Sequence, residues 1–202
     1  MNKPERIVFA TGNKDKVREI QEIMEGFDIP VISMKEAGID IDVEENGKTF
    51  EENALIKAKA VWDISGGLVL SDDSGLEIDA LKKEPGILSA RYLGHDTSYH
   101  EKNANLIERL SGVPDEKRTA RFVCAVAAIF PDGSEKVVRG VMEGRIGYEE
   151  KGENGFGYDP IFILPKYEKT TAELPAEVKN EESHRGKALR MIREEIGKVI
   201  EF

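Results

Sequence analysis

Residues 120–146 read "ARFVCAVAAIFPDGSEKVVRGVMEGRI", two long strand-like runs on either side of Pro131, Asp132 and Gly133. A Pro-Asp-Gly centre is a turn, so the two runs form a hairpin. That hairpin decides the fold, because the rest of the chain reads as strands interleaved with helices. Strict alternation of the two would wind into a parallel sheet; a hairpin inside it makes the sheet mixed. The first run also holds the longest apolar stretch, "FVCAVAAIF" at 122–130, well short of the ~18 residues of a membrane-crossing helix.

Outward from the hairpin, short elements follow one another closely. "RIVFA" (6–10) is a buried strand, and Val17, Ile20, Ile23 and Met24 fall on one helical face. A second strand surrounds residues 31–33. "TFEENALIKAKAVW" (49–62) is a helix whose Thr49 and Glu52 match a capping box. "LVLS" (68–71) is a strand that ends in "SDDSG", and "GLEIDAL" (75–81) alternates as a separate half-buried strand. "SYHEKNANLIERL" (98–110) is a helix, and "IFIL" (161–164) is a strand stopped by Pro165. Leu189, Ile192, Ile196, Val199 and Ile200 share the apolar face of a last helix. No repeat or linker interrupts the chain, so residues 1–202 are expected to be one α/β domain, a mixed β-sheet flanked by helices.

Composition narrows the function. Hydrophobic residues are 40% and charged residues 34% of the chain, as in an ordinary globular protein. The N-terminal "MNKPERIVFATG" lacks the apolar core and cleavage site of a signal peptide. The one cysteine, Cys124, lies in an apolar run and reads as packing, which suits a reducing, cytoplasmic setting. A net charge of −10 argues against nucleic acid as a partner, and no run argues for a membrane. Small anions stay possible, because a few converging lysines or a divalent cation reverse the field locally.

Four motifs carry chemistry. "TGNKDK" (11–16) follows a strand and opens a helix, where backbone N–H groups and the dipole favour an anion. Gly12 lets a phosphate approach the backbone, Asn13 caps the helix, and Lys16 can reach back; the plainer alternative is a capped turn with a solvated lysine. "DIDVEENGKTFEEN" (40–53) and "SDDSG" (71–75) supply carboxylates of the kind Mg²⁺ takes alongside water and substrate phosphate. Glu52 is explained by its capping box. Asp72 and Asp73 are not, since they sit at the carboxyl end of a buried strand, where α/β sheets bind ligands. If the chain is still extended there, the two point to opposite sides. "GFGYDP" (155–160) sets Phe156 and Tyr158 among glycines, either to offer a flat face to a base or to cover the core. "SHRGKAL" (183–189) puts His184 and Arg185 in a first helical turn, where cations are unfavourable. Arg185 is therefore either a donor-only reader of keto oxygens or phosphates, or a solvated residue on an exposed first turn. A phosphate grip, a divalent-metal site, an aromatic face and a donor-only reader together describe a site for a purine nucleoside polyphosphate.

In order, "TGNKDK", "EENGKTFEENALIKA", "SDDSGLEIDAL", "PGILSARYLG", "GFGYDPIF" and "SHRGKAL" resemble the signature segments of the inosine/xanthosine triphosphate pyrophosphatases, the non-standard purine NTP pyrophosphatase family. The matches run from residue 7 to about residue 190. The resemblance implies an elongated mixed sheet in two lobes with a central nucleotide-binding cleft, usually in a homodimer. It implies Mg²⁺-dependent hydrolysis of ITP, dITP and XTP to the monophosphate and pyrophosphate, clearing deaminated purines from the nucleotide pool.

By residue, it implies that Thr11, Gly12, Asn13, Lys14, Asp15 and Lys16 hold the triphosphate. Glu45 and Asp73 match the metal-binding acids, and Asp73 also matches the proton acceptor. Ser74 and Lys179 match substrate contacts. Phe156, Gly157, Tyr158 and Asp159 match the nucleoside-binding turn, and His184 and Arg185 the base readers. Asp72 is left as either structural or a second ligand, and "GYEEKGEN" (147–154) as a variable stretch. Two rival readings are a related enzyme for modified pyrimidine nucleotides and a nucleotide-binding module without chemistry. The first predicts fast dUTP turnover, the second saturable binding without released pyrophosphate.

Overall fold

A computed structural model describes residues 3–25 and 29–200. Its described residues form seven strands in one sheet, in the order β2-β1-β3-β4-β5-β6-β7. β1 (Ile7–Phe9) pairs in parallel with β2 (Val31–Ser33) and with β3 (Leu68–Ile78). β4 (Thr119–Ile129) and β5 (Glu135–Ile146) are joined through the turn at residues 131–133, where the Phe130 N–H donates to the Ser134 carbonyl at 2.9 Å. β6 (Phe162–Leu164) runs antiparallel to β5 and to β7 (Lys169–Thr170). Parallel and antiparallel pairings share one sheet, so the mixed α/β class read from the hairpin holds.

The chain divides into two compact units. The first comprises residues 1–73, 124–140 and 184–202. It carries α1 (Lys14–Ile23), α2 (Phe50–Ser65) and α5 (His184–Val199). Its core joins Ile7 and Phe9 of β1, Leu68 and Leu70 of β3 and Val126 of β4 to Leu189, Ile192 and Ile196, the apolar face read for the last helix. The second comprises residues 74–123 and 141–183, with α3 (Tyr99–Arg109) and α4 (Ala176–Glu182). Its core gathers Leu76, Leu106, Phe122, Ile146, Tyr158 and Phe162. Arg118 is buried there, and its guanidinium donates to the carbonyls of Leu110, Ile146 and Gly147 at 2.7–2.9 Å. None of the described helices is long and apolar enough to cross a membrane.

Two local readings are corrected. "LVLS" and "GLEIDAL" are not separate strands: β3 is continuous through "SDDSG", and only residues 79–81 leave it, as a short helical turn. The Thr49 hydroxyl caps α2 by accepting from the Glu52 N–H at 3.1 Å, but the Glu52 carboxylate accepts from the Lys48 N–H at 2.6 Å instead of closing the box on Thr49.

Candidate active site

In the first unit, β1 leads into a loop that opens α1. The Asn13 side chain caps this helix and accepts from the N–H groups of Asp15 and Lys16 at 3.0 and 3.1 Å. The Thr11 hydroxyl accepts from the Asn13 N–H at 3.2 Å, which holds the loop in shape. Residues 12–15 are exposed, and a Cβ on Gly12 would meet nothing within 4 Å, so this stretch of backbone is open to an incoming group. Lys14 is exposed, and Asp15 sits 3.4 Å from Arg18. Lys16 turns inward instead, with Nζ 3.1 Å from Asp72 Oδ2.

Because β3 stays extended, its neighbouring aspartates face opposite sides. Asp72 is fully buried and meets Lys16, Arg185 Nε and Nη2 at 3.3 Å each, and the Cys124 thiol at 3.9 Å, all through Oδ2. Burial pushes its carboxyl up, but the charges of Lys16, Arg185 and Lys57 outweigh that and hold it well below the usual carboxylate range. Its Oδ1 has no hydrogen-bond partner among the described residues. Asp73 faces α2. Its Oδ2 accepts from Asn53 Nδ2 at 3.0 Å, and its Oδ1 is 4.0 Å from Lys57 Nζ. Burial raises its carboxyl and outweighs Lys57 and Lys16, which lower it, while Glu45 adds to the rise. Two adjacent acids thus differ in kind: one is fixed as an anion, the other is easier to protonate.

Glu45 Oε1 is 2.9 Å from Lys57 Nζ, so one ammonium bridges Glu45 and Asp73. Asn53 brings the acidic loop to that place, because its Oδ1 accepts from the Gly47 N–H at 2.8 Å while its Nδ2 holds Asp73. Only a glycine fits at 47, since a Cβ would run into Asn53 Oδ1 and Glu52 Cβ. At the start of α5, His184 and Arg185 are buried, not solvated. Arg185 pairs with Glu19 of α1 as well as with Asp72, so its Nε, Nη1 and Nη2 each donate to a carboxylate. Those two acids offset the unfavourable cation at a helix N-terminus. Gly140 of β5 lets the helix start approach closely, because a Cβ there would strike the His184 carbonyl oxygen.

The second unit holds the remaining candidates. Ser74 follows Asp73 on β3 and is half-buried. The turn at residues 156–159 is tied by Asp159, whose Oδ2 accepts from the Phe156 N–H at 2.8 Å and from Lys179 Nζ at 2.7 Å. Asp159 Oδ1 accepts from the Thr171 hydroxyl at 2.7 Å. The two aromatics divide the alternatives between them. Tyr158 is a core residue, 4% exposed, and its hydroxyl donates to the Ser89 carbonyl at 2.7 Å. Phe156 is half-buried, with Lys179 Nζ 5.0 Å from its ring centre. The candidates therefore fall into two local sets. Residues 11–16, 45, 73, 184 and 185 are in the first unit, and residues 74, 156–159 and 179 in the second.

The model of the Ham1 family matches residues 7–195. The chain belongs to the Ham1 family. Among its relatives, the dITP/XTP pyrophosphatase of Caldanaerobacter subterraneus subsp. tengcongensis is 48% identical over 97% of this chain and 98% of its own. The dITP/XTP pyrophosphatase of Exiguobacterium sibiricum is also 48% identical, over 93% and 94%. The solved structure of the Staphylococcus aureus Ham1 protein matches with a TM-score of 0.86 at 41% identity, covering 96% of this chain and 99% of that one.

Within this Ham1 chain, three residues at the site escaped the sequence reading: Glu19, Asn53 and Lys57. Asn53 and Lys57 had a signal, their spacing of one helical turn on the α2 face that meets "SDDSG". Glu19 had none, since an acid in the middle of α1 looks like solvated surface until its partner at residue 185 is known. The resemblance to the pyrophosphatases implied Mg²⁺. Among the described residues no group of three or more His, Cys, Asp and Glu could hold an ion. Glu45 and Asp73 offer the pair of hard oxygen donors that Mg²⁺ takes when water and substrate phosphate complete its shell.

Proposed function

We propose that this chain is a nucleoside triphosphate pyrophosphatase of the dITP/XTP type. Water would attack the α-phosphorus, the bond to the bridging oxygen would break, and the monophosphate and pyrophosphate would leave. The observation that carries the reading is the opposite facing of two adjacent acids on β3, Asp72 towards Lys16 and Arg185 and Asp73 towards Asn53 and Lys57. Asp72 stays ionised beside Lys16 and Arg185, while the raised carboxyl of Asp73 is tuned towards accepting a proton. Asn53 fixes the Asp73 carboxylate through Oδ2, and the carboxylate so held would orient the attacking water and take its proton. Lys57, held between Glu45 and Asp73, and Lys16 would supply positive charge against the negative charge that builds on the leaving pyrophosphate.

Glu45 and Asp73 would hold Mg²⁺, which when bound neutralises phosphate oxygens and makes water more acidic. Residues 11–15 would receive the phosphates at the open start of α1, with Ser74 a further substrate contact. In the second unit, Phe156, Gly157, Tyr158 and Asp159 would form the nucleoside turn, with Phe156 as its accessible aromatic. Lys179 would act from its seat on Asp159. His184 and Arg185 would donate to the 6-keto oxygen of hypoxanthine or xanthine and leave an adenine amine facing donors. A cytoplasmic homodimer built from one domain over residues 1–202 completes the proposal.

The test is pyrophosphate release from ITP, dITP, XTP, GTP, ATP and dUTP with Mg²⁺. Fast release from the first three, with slow release from the others, is expected. A preference for dUTP, or binding without release from any of them, would overturn the reading.

A further inference from the structure

The N-terminal half of α3 lies against the 156–159 turn within the second unit and holds polar groups that no role above uses. Asn103 is 1% exposed. Its Nδ2 donates to Glu150 Oε1 at 2.6 Å and to the Gly157 carbonyl at 3.3 Å. Both partners only accept, so the amide must present its nitrogen to them. The same orientation leaves Asn103 Oδ1 buried without a partner among the described residues. An apolar side chain would pack there without stranding an acceptor, so the amide is kept for what it donates to. Glu150 lies in the 147–154 stretch that carried no motif, and its other oxygen is 2.6 Å from His100 Nδ1, on the same helix as Asn103.

Gly157 needs this support. It adopts φ +70, which favours glycine, and the edge of the Tyr99 ring lies 3.6 Å from where its Cβ would be. One side of the turn is already fixed by the Asp159 carboxylate on the Phe156 N–H. The Gly157 carbonyl, on the peptide that leads from the middle of the turn to Tyr158, is fixed by Asn103. We propose that Asn103, braced by Glu150, is a positioning residue that sets the nucleoside turn and so determines affinity for the nucleoside half of the substrate. The proposal rests on reading residues 156–159 as the nucleoside contact. Asp73 has its own fixed partners in Asn53 and Lys57, so the chemical step is expected to be spared.

Steady-state kinetics of the full chain with dITP and Mg²⁺ test it. Asn103→Ala should raise KM about tenfold, the worth of its hydrogen bond to the Gly157 carbonyl, with kcat within about threefold of wild type. Inhibition by dIMP should weaken by the same factor, and inhibition by inorganic pyrophosphate should not move. Glu150→Ala should raise KM more modestly, and Glu150→Gln, which keeps an acceptor for Asn103, should restore it. If Asn103→Ala does not fold, Glu150→Ala on its half-buried loop carries the same test. An unmoved KM in folded variants, equal weakening of dIMP and pyrophosphate, or Glu150→Gln as damaging as Glu150→Ala each overturn the proposal. A wild-type chain that releases no pyrophosphate from dITP overturns the functional reading instead.

Discussion

At the scale of single residues, the two adjacent acids of β3 should fail differently. Asp73→Asn removes the proton acceptor but keeps a side chain that Asn53 can still hold, so kcat should fall by roughly 10²–10⁴ with little change in the thermal midpoint. Asp72→Asn strips the anion from the buried Arg185 and the half-buried Lys16, and the cost of breaking a buried pair is about 3–5 kcal/mol, read as a shift of the denaturant midpoint. Both effects in one variant would mean that the acids share a role. The letters "SDDSG" made the pair visible, and an extended chain required opposite sides. They did not reveal a continuous strand, because Ser, Asp and Gly have low strand propensity and mark turns when read alone. Fixed positive charge at Asp72 and strand neighbours on both sides of β3 override that preference, and both come from parts of the chain far away in sequence.

At the scale of elements, caps and strand ends set local stability. Thr49→Ala should cost about 1 kcal/mol of unfolding free energy, since only the Thr49 half of the box serves its own helix. Beyond the end of β3, Asp79 accepts from Arg121, Lys83 and Thr119, and those hydrogen bonds hold its carboxyl well below the usual carboxylate range. A carboxyl lowered on folding contributes stability that is present above its unfolded pKa of ~3.9 and is lost as pH falls through the folded value. Asp79→Asn should therefore weaken the chain near neutrality and flatten the loss of stability between about pH 5 and pH 2, followed by denaturant midpoints across that range. A pH slope equal to wild type would mean that the network contributes nothing. Long periodic elements such as α5 and the β4–β5 hairpin were legible because burial on one face writes a pattern into the sequence. α4 and β7 are too short to write one, and depend on contacts that the local letters do not encode.

At the scale of the whole molecule, the two compact units share three unbroken strands, since β3, β4 and β5 each contribute residues to both. Each unit has its own buried cluster, so separate melting is conceivable; continuous strands argue instead for a single cooperative transition. The chain carries the probes to decide this. Its one tryptophan, Trp62, is in the first unit, where the indole N–H donates to the carbonyls of Gly67 and Phe130. All five tyrosines, at 92, 99, 148, 158 and 167, are in the second. Tryptophan fluorescence and tyrosine second-derivative absorbance should therefore give one midpoint in urea. Leu106→Ala, which hollows the second cluster only, should lower both probes together, by an amount equal to about 2–5 kcal/mol. A tyrosine midpoint that falls while the tryptophan midpoint stays would mean two independent folding units, and would end the description of residues 1–202 as one domain.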